Sequence, residues 1–70
     1  MWHKLTYKNY EIVVKVYGIP SRYGIRGGRI SKLSVYVSGV EIYCYDRGVV
    51  FSNLNVVTFC KIVDFVEDSV

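Results

Sequence analysis

The sequence predicts a single α+β domain over residues 1–70, in which a four-stranded antiparallel β-meander precedes one C-terminal α-helix packed on one sheet face. Three observations predict this fold. Apolar and polar residues alternate with period two from Leu5 to Phe51, helical spacing replaces that alternation after Asn53, and a length of 70 residues allows only one domain. A composition of 51% hydrophobic residues with a single proline excludes a disordered chain.

The first clear strand covers residues 10–17. Ile12 and Val14 fall on one face of this segment, whereas Glu11 and Lys15 fall on the other. Such alternation is typical of a strand with one buried face.

Two further strands are predicted over residues 29–37 and 40–47, joined by a tight turn at Ser38 and Gly39. Their predicted buried face holds Leu33, Val35, Val37, Val40, Ile42 and Cys44. Their predicted exposed face holds Lys32, Ser34, Tyr36, Glu41, Tyr43, Tyr45 and Arg47. The short connection makes these strands antiparallel neighbours.

The ends of the sheet leave alternatives open. Residues 5–8 form either an additional edge strand or the first half of a hairpin that turns at Asn9. Gly48 interrupts the alternation, so residues 49–51 form either a short last strand or the tail of the preceding strand after a bulge.

A helix is predicted over residues 55–68, with Asn53 or Asn55 as its N-cap. Its apolar face holds Val56, Phe59, Cys60, Ile62, Val63 and Val66. A terminal strand is the alternative, because Val, Ile, Phe and Thr are poor helix formers. Val57 and Phe65 lie outside the apolar face and widen it beyond what one small sheet covers, which predicts a homodimer that uses these two residues.

Charge is distributed unevenly over the chain, whose formal net charge is +3. Residues 1–39 hold seven cations and one carboxylate, and residues 40–70 hold two cations and five carboxylates. The basic half is expected to attract polyanions or acidic protein surfaces, although charges of this kind also serve simply to keep a surface soluble.

The irregular segment at residues 18–28 contains four glycines and is a candidate binding loop. Its basic and aromatic side chains, with the arginine that follows it, are Arg22, Tyr23, Arg26 and Arg29. The loop has no Gly-Lys-Ser/Thr ending and leads into a strand, so it does not match a Walker A loop. A wide hairpin with solvated arginines is the simpler interpretation.

The exposed face of the predicted sheet combines phenol rings with cations. Its candidate binding residues are Lys32, Tyr36, Tyr43, Tyr45 and Arg47. Aromatic side chains on a sheet stack with unpaired bases while Lys and Arg contact phosphates, so this face predicts single-stranded nucleic-acid binding. The same mixture also suits a protein interface or an ordinary strand surface.

Catalysis, metal binding and membrane insertion are not expected. The only histidine, His3, lies near the N-terminus, and Cys44 and Cys60 lack zinc-ligand spacing. No cofactor is predicted. No apolar run approaches the roughly 18 residues of a membrane span, and no secretory leader is recognisable, so a cytoplasmic protein is expected.

Two strings in the middle of the chain carry a family resemblance: YGIRGGRISKL at residues 23–33 and YDRG at residues 45–48. They resemble the core of a family of very small uncharacterised proteins from Gram-positive bacteria and their phages. The resemblance covers about the middle third of the chain and implies no established activity. In the C-terminal segment, Val and Phe stand where that family usually has a helix rich in Glu, Lys and Leu.

Predicted topology carries a second resemblance. Four antiparallel strands followed by one helix are similar to the single-strand-binding fold of the positive-cofactor-four transcription factors, which dimerise through helices and bind nucleic acid on the sheet. Small phage inhibitors of CRISPR-Cas nucleases are also sheet-and-helix proteins of this size. We therefore expect a phage or prophage binding protein that occupies a host protein or ribonucleoprotein, as a counter-defence inhibitor; the alternative is a single-stranded nucleic-acid-binding protein.

Overall fold

The computed structural model describes residues 2–22 and 24–69, which form one antiparallel sheet and one helix. The strands follow one another across the sheet in chain order. They are β1 (Trp2–Tyr7), β2 (Tyr10–Val16), β3 (Ile30–Val37), β4 (Val40–Asp46) and β5 (Val49–Ser52). Helix α1 (Val56–Ser69) ends the described chain. The predicted α+β meander with a C-terminal helix is confirmed, but the prediction of four strands is wrong because the sheet has five.

The two outer strands, β1 and β5, come from the two segments for which the sequence left alternatives open. β1 pairs with β2 from Trp2 opposite Lys15 to Tyr7 opposite Tyr10, so the connection between them has only two residues. β5 is a separate strand, because the chain reverses after β4 at Arg47, whose φ is 60°. β1 and β5 therefore each form one strand of a short antiparallel hairpin.

The hairpin between β3 and β4 turns at Ser38 and Gly39, as predicted. Both residues have positive φ, 52° and 79°. A two-residue loop with positive φ at both positions is the turn whose twist matches that of antiparallel strands. This turn sets Val37 opposite Val40.

A β-bulge then changes the register between β3 and β4. Tyr36 lies opposite Glu41, yet Val35 lies opposite Tyr43, so Ile42 is an extra residue without a partner. Because side chains alternate between the two faces, one extra residue exchanges the faces of everything that follows it in the strand. The predicted placement of Tyr43, Cys44 and Tyr45 is therefore wrong.

The core lies between α1 and the sheet face that carries Ile12, Val14, Leu33 and Val35, all fully buried as predicted. Tyr43 is also buried on this side, with only 3% of its surface exposed. Tyr45 is partly buried against the same core. Cys44, opposite Ser34, lies on the other face.

Helix α1 begins after Asn55, whose side-chain Oδ1 accepts a hydrogen bond of 2.8 Å from the Thr58 backbone N–H. Of the two proposed N-caps, Asn55 is thus the one used, and the alternative of a terminal strand is wrong. Ile62, Val63 and Val66 are fully buried.

Two predictions about the helix surface need correction. Val56 was expected on the apolar face, but 76% of it is exposed because it stands in the first turn, at the edge of the sheet. Phe65 was expected outside that face, but it packs against the core with its ring 5.0 Å from the ring of Tyr7. Strand β1 supplies this contact through Tyr7.

No helix among the described residues is long and apolar enough to cross a membrane. α1 has 14 residues, fewer than the roughly 20 that a membrane-spanning helix needs.

Candidate functional site

The sheet face opposite α1 is not covered by any other element of the described chain. We call it the open face. It carries Trp2, Lys4, Thr6, Glu11, Val13, Lys15, Lys32, Ser34, Tyr36, Glu41, Cys44, Asp46 and Phe51. These residues lie opposite one another on neighbouring strands. Along each strand they alternate with the residues that face the core.

One row across the open face joins an aromatic ring to cations. Trp2, Lys15 and Lys32 occupy successive positions on β1, β2 and β3, and Asp46 follows on β4. The Lys15 ammonium lies 5.8 Å from the centroid of the Trp2 ring, within the range of a cation–π contact. Lys32 Nζ lies 3.7 Å from Asp46 Oδ2.

The neighbouring row adds a cation and a ring at opposite ends. Lys4 stands on β1, followed by Val13, Ser34 and Cys44, and Phe51 stands on β5. With about 4.8 Å between strands, this row is about 19 Å long. The cations Lys4 and Lys15 therefore lie beside Trp2. Two carboxylates belong to the third row, where Thr6, Glu11, Tyr36 and Glu41 follow one another across β1 to β4.

Trp2 is the site residue that sequence reasoning missed. In the sequence, polar Lys4 and Thr6 alternate with apolar Leu5 and Tyr7, and the structure makes Trp2–Tyr7 the edge strand β1. In it His3, Leu5 and Tyr7 are half-buried, while the residues between them are exposed. That alternation was the signal that could have placed Trp2 on the open face, where 57% of its surface is exposed.

Two of the nine predicted binding residues, Lys32 and Tyr36, lie on the open face, and both are half-buried there. Tyr43 and Tyr45 lie on the helix side because of the bulge at Ile42. Burial raises the pKa of Tyr43 to about 12, with smaller contributions from Tyr45 and Cys44. The Tyr43 ring lies 5.1 Å from that of Phe59 in α1, so it is a core residue.

The predicted binding loop is attached to the helix and does not join the open face. Ile25 is buried in the core, and Arg26 beside it is exposed. Arg26 Nη2 lies 2.7 Å from Asp64 Oδ1 and 3.1 Å from Glu67 Oε1, both on α1. The hydrogen bond to Asp64 raises the pKa of Arg26 above its ordinary value, outweighing the opposing effect of burial. Two carboxylates thus already face this guanidinium.

Backbone hydrogen bonds close the base of the same loop. The Tyr17 N–H donates to the Arg29 carbonyl at 2.6 Å, and the Ser21 N–H donates to the Gly28 carbonyl at 2.9 Å. Arg22 is exposed and Arg29 is half-buried in this segment. The predicted binding residue Tyr23 lies outside the described residues.

The last predicted binding residue, Arg47, is exposed in the turn between β4 and β5, and its backbone N–H donates to the Ser31 carbonyl at 3.3 Å. Of the two predicted interface residues, Val57 is exposed near the start of α1, while Phe65 packs within its own chain. The predicted binding and interface residues therefore do not form one cluster, because they lie in the loop, on both sheet faces and on α1. Within residues 2–22 and 24–69, no group of three or more His, Cys, Asp or Glu side chains could hold a metal ion.

The chain shows a clear family match over its sheet. Residues 1–52 match the family model described as Domain of unknown function (DUF7678). The chain belongs to this family. The part that matches DUF7678 extends to the last residue of β5, so the open face falls within it and α1 lies beyond it. No curated protein and no solved structure matches the chain.

Proposed function

We propose that the protein is a small non-enzymatic binding protein and that its open face binds single-stranded nucleic acid. The observation that carries this proposal is the exposed Trp2 ring with the Lys15 ammonium beside it, on a sheet face that α1 leaves uncovered. Trp2 offers a stacking surface to an unpaired base, and Lys15 and Lys4 lie where they would meet the adjoining phosphates.

The rest of the open face supports the same ligand class. Tyr36 and Phe51 supply further rings on β3 and β5, so stacking surfaces exist at both sides of the sheet. Stacking on aromatic rings tolerates any base, because every base has a π-face. We therefore expect binding with little sequence preference and with a strong dependence on salt.

The biological setting of the proposal comes from the sequence resemblance. In that setting the protein acts in the cytoplasm of a bacterial host, as a phage or prophage protein that occupies a host macromolecule and counters a defence system. Support for this narrower role is limited to the resemblance, and it stays a prediction. Recovery of a host partner from lysate that survives nuclease treatment would favour a protein target over nucleic acid.

A titration with fluorescently labelled single-stranded oligonucleotide tests the proposal. We expect binding whose affinity falls steeply between low and physiological salt, because neutralised phosphates release counterions. Trp2→Ala is expected to weaken binding by about 1–3 kcal/mol while leaving the salt slope unchanged, since stacking is not a charge effect. Lys15→Gln is expected to reduce the slope by about 0.7, the contribution of one phosphate contact on a single strand.

Lys61→Gln is the matched control for Lys15→Gln. It removes the same charge from an exposed position on α1, on the other side of the sheet. Equal losses of affinity in the two variants would show that only net charge matters, and the open face would then not be the site. Absence of binding at low salt would refute the nucleic-acid proposal outright.

A further inference from the structure

The exposed apolar side chains of the described chain are concentrated at one edge of the sheet. Five of the large hydrophobic residues that reach solvent lie between residues 49 and 57: Val49, Val50, Phe51, Val56 and Val57. Beside them is an apolar cavity of about 170 Å³, lined by Tyr43, Val49, Ser52, Leu54, Val56 and Phe59. Exposed apolar side chains that are grouped in this way are typical of an interaction surface.

β5 forms this edge, because it pairs with β4 alone. An edge strand presents unpaired backbone N–H and C=O groups, and proteins usually protect such edges with charged side chains. The opposite edge has a charged side chain of this kind, because β1 carries Lys4. In contrast, residues 48–60 contain no charged side chain, so β5 lacks protection by charge. Its one irregularity is a bulge, because Phe51 lies opposite Cys44 and Val49 lies opposite Tyr45, which leaves Val50 without a partner on β4.

The absence of charge also indicates what occupies the edge. A twofold axis places each surface against its own copy, so a charged surface would face like charges. The uncharged edge at β5 accepts its own copy without such repulsion.

We infer that β5 pairs antiparallel with β5 of a second copy of this chain, joining two five-stranded sheets into one. Val49 lies opposite Tyr45 on the helix side and Phe51 lies opposite Cys44 on the open face, so the pairing adds apolar cross-strand contacts on both faces. The open faces of the two copies become continuous across the axis. This inference does not depend on what the open face binds.

The test is the molar mass of the protein by light scattering at micromolar concentration, for the wild type and two variants. Val50→Lys places a cation on β5, the device that natural edge strands use against pairing. Val40→Lys is the matched control, because Val40 and Val50 are each 63% exposed and Val40 lies next to the β3–β4 turn. We expect twice the 8.1 kDa chain mass for the wild type and Val40→Lys, and the chain mass for Val50→Lys.

A wild-type protein at the chain mass, or a dimer that Val50→Lys leaves intact, would overturn the inference. Amide hydrogen exchange on the wild type provides a measurement that needs no variant. The amides of β5 are expected to exchange more slowly at high protein concentration than at low concentration, while those of β1 do not change. Equal exchange in β5 at two concentrations, one at which light scattering gives the chain mass and one at which it gives twice that mass, would contradict the pairing even though the protein dimerises.

Discussion

Val35 of β3 lies directly opposite Tyr43 of β4, and the bulge residue Ile42 between Glu41 and Tyr43 has no partner. This single relationship decides which aromatic side chains face α1 and which face solvent. Without the extra residue, Val35 would lie opposite Ile42, and Tyr43 and Tyr45 would lie on the open face. With it, the tyrosines belong to the core side and Cys44 belongs to the open face.

The stability of two neighbouring variants tests this register. Tyr43→Ala removes a buried ring and is expected to lower the free energy of unfolding by about 3–5 kcal/mol, as for other buried aromatic residues. Cys44 is half-buried on the open face, and Cys44→Ala is expected to lower the free energy of unfolding by about 1 kcal/mol or less. Urea denaturation measures both values. The reverse order would show that β4 has the alternating register without a bulge.

Alkaline pH provides a second test of the burial of Tyr43. The pKa of Tyr43 is raised from 10.0 to about 12 in the folded protein, so folding favours its neutral form. This contribution to stability is fully present below about pH 10 and is lost as the pH rises from about 10 to about 12, by about 2–3 kcal/mol. Tyr43→Phe lacks the hydroxyl and is expected to lose less stability over that range. Parallel declines in wild type and Tyr43→Phe would contradict the burial.

The loop at residues 18–28 depends on a close backbone approach at Gly24. A Cβ atom at this position would overlap the carbonyl oxygen of Gly28. Gly24→Ala is therefore expected to destabilise the fold by about 1–3 kcal/mol. Gly18→Ala is the control, because nothing lies within 4 Å of a Cβ there, and it is expected to be neutral or stabilising by up to about 1 kcal/mol. Thermal unfolding that ranks Gly18→Ala below Gly24→Ala would refute this account of the loop.

The contact between the loop and the helix is expected to depend on salt. Arg26 bridges Asp64 and Glu67 at an exposed position, so Arg26→Gln is expected to cost about 1 kcal/mol or less at low ionic strength. The difference from the wild type should nearly vanish at about 1 M salt, where the screening length falls to about 3 Å. Denaturation at the two salt concentrations measures it. An undiminished difference at high salt would assign the effect to packing and not to the ion pairs.

Much of the fold could be predicted from the sequence because its strongest signals are periodic. Alternation placed Ile12, Val14, Leu33 and Val35 in the core, and helical spacing placed α1. The bulge at Ile42 could not be predicted, because Tyr43, Cys44 and Tyr45 each suit either face of a strand and the exchange of faces leaves no mark in the residue types. The candidate site depended on that pairing, so Tyr43 and Tyr45 were placed on the wrong face.

The ion pairs of the loop could not be predicted for a different reason. Arg26 and its carboxylate partners are far apart in sequence, 38 residues in the case of Asp64. Composition shows a basic loop and an acidic C-terminal segment, but it does not show that they neutralise each other in the folded chain. Long-range ion pairs of this kind carry no local signal, so only the structure reveals that the loop is anchored to α1.

The central claim, that the open face binds single-stranded nucleic acid, is tested most directly by NMR. Backbone and indole N–H resonances of isotopically labelled protein would be followed during addition of an unlabelled single-stranded oligonucleotide at low salt. The account predicts that shifts concentrate on the Trp2 indole and on Lys4, Lys15, Lys32 and Tyr36, with Ile62 and Val66 of α1 unchanged. Shifts centred on α1 or on the loop at Arg26, or none at all, would contradict it.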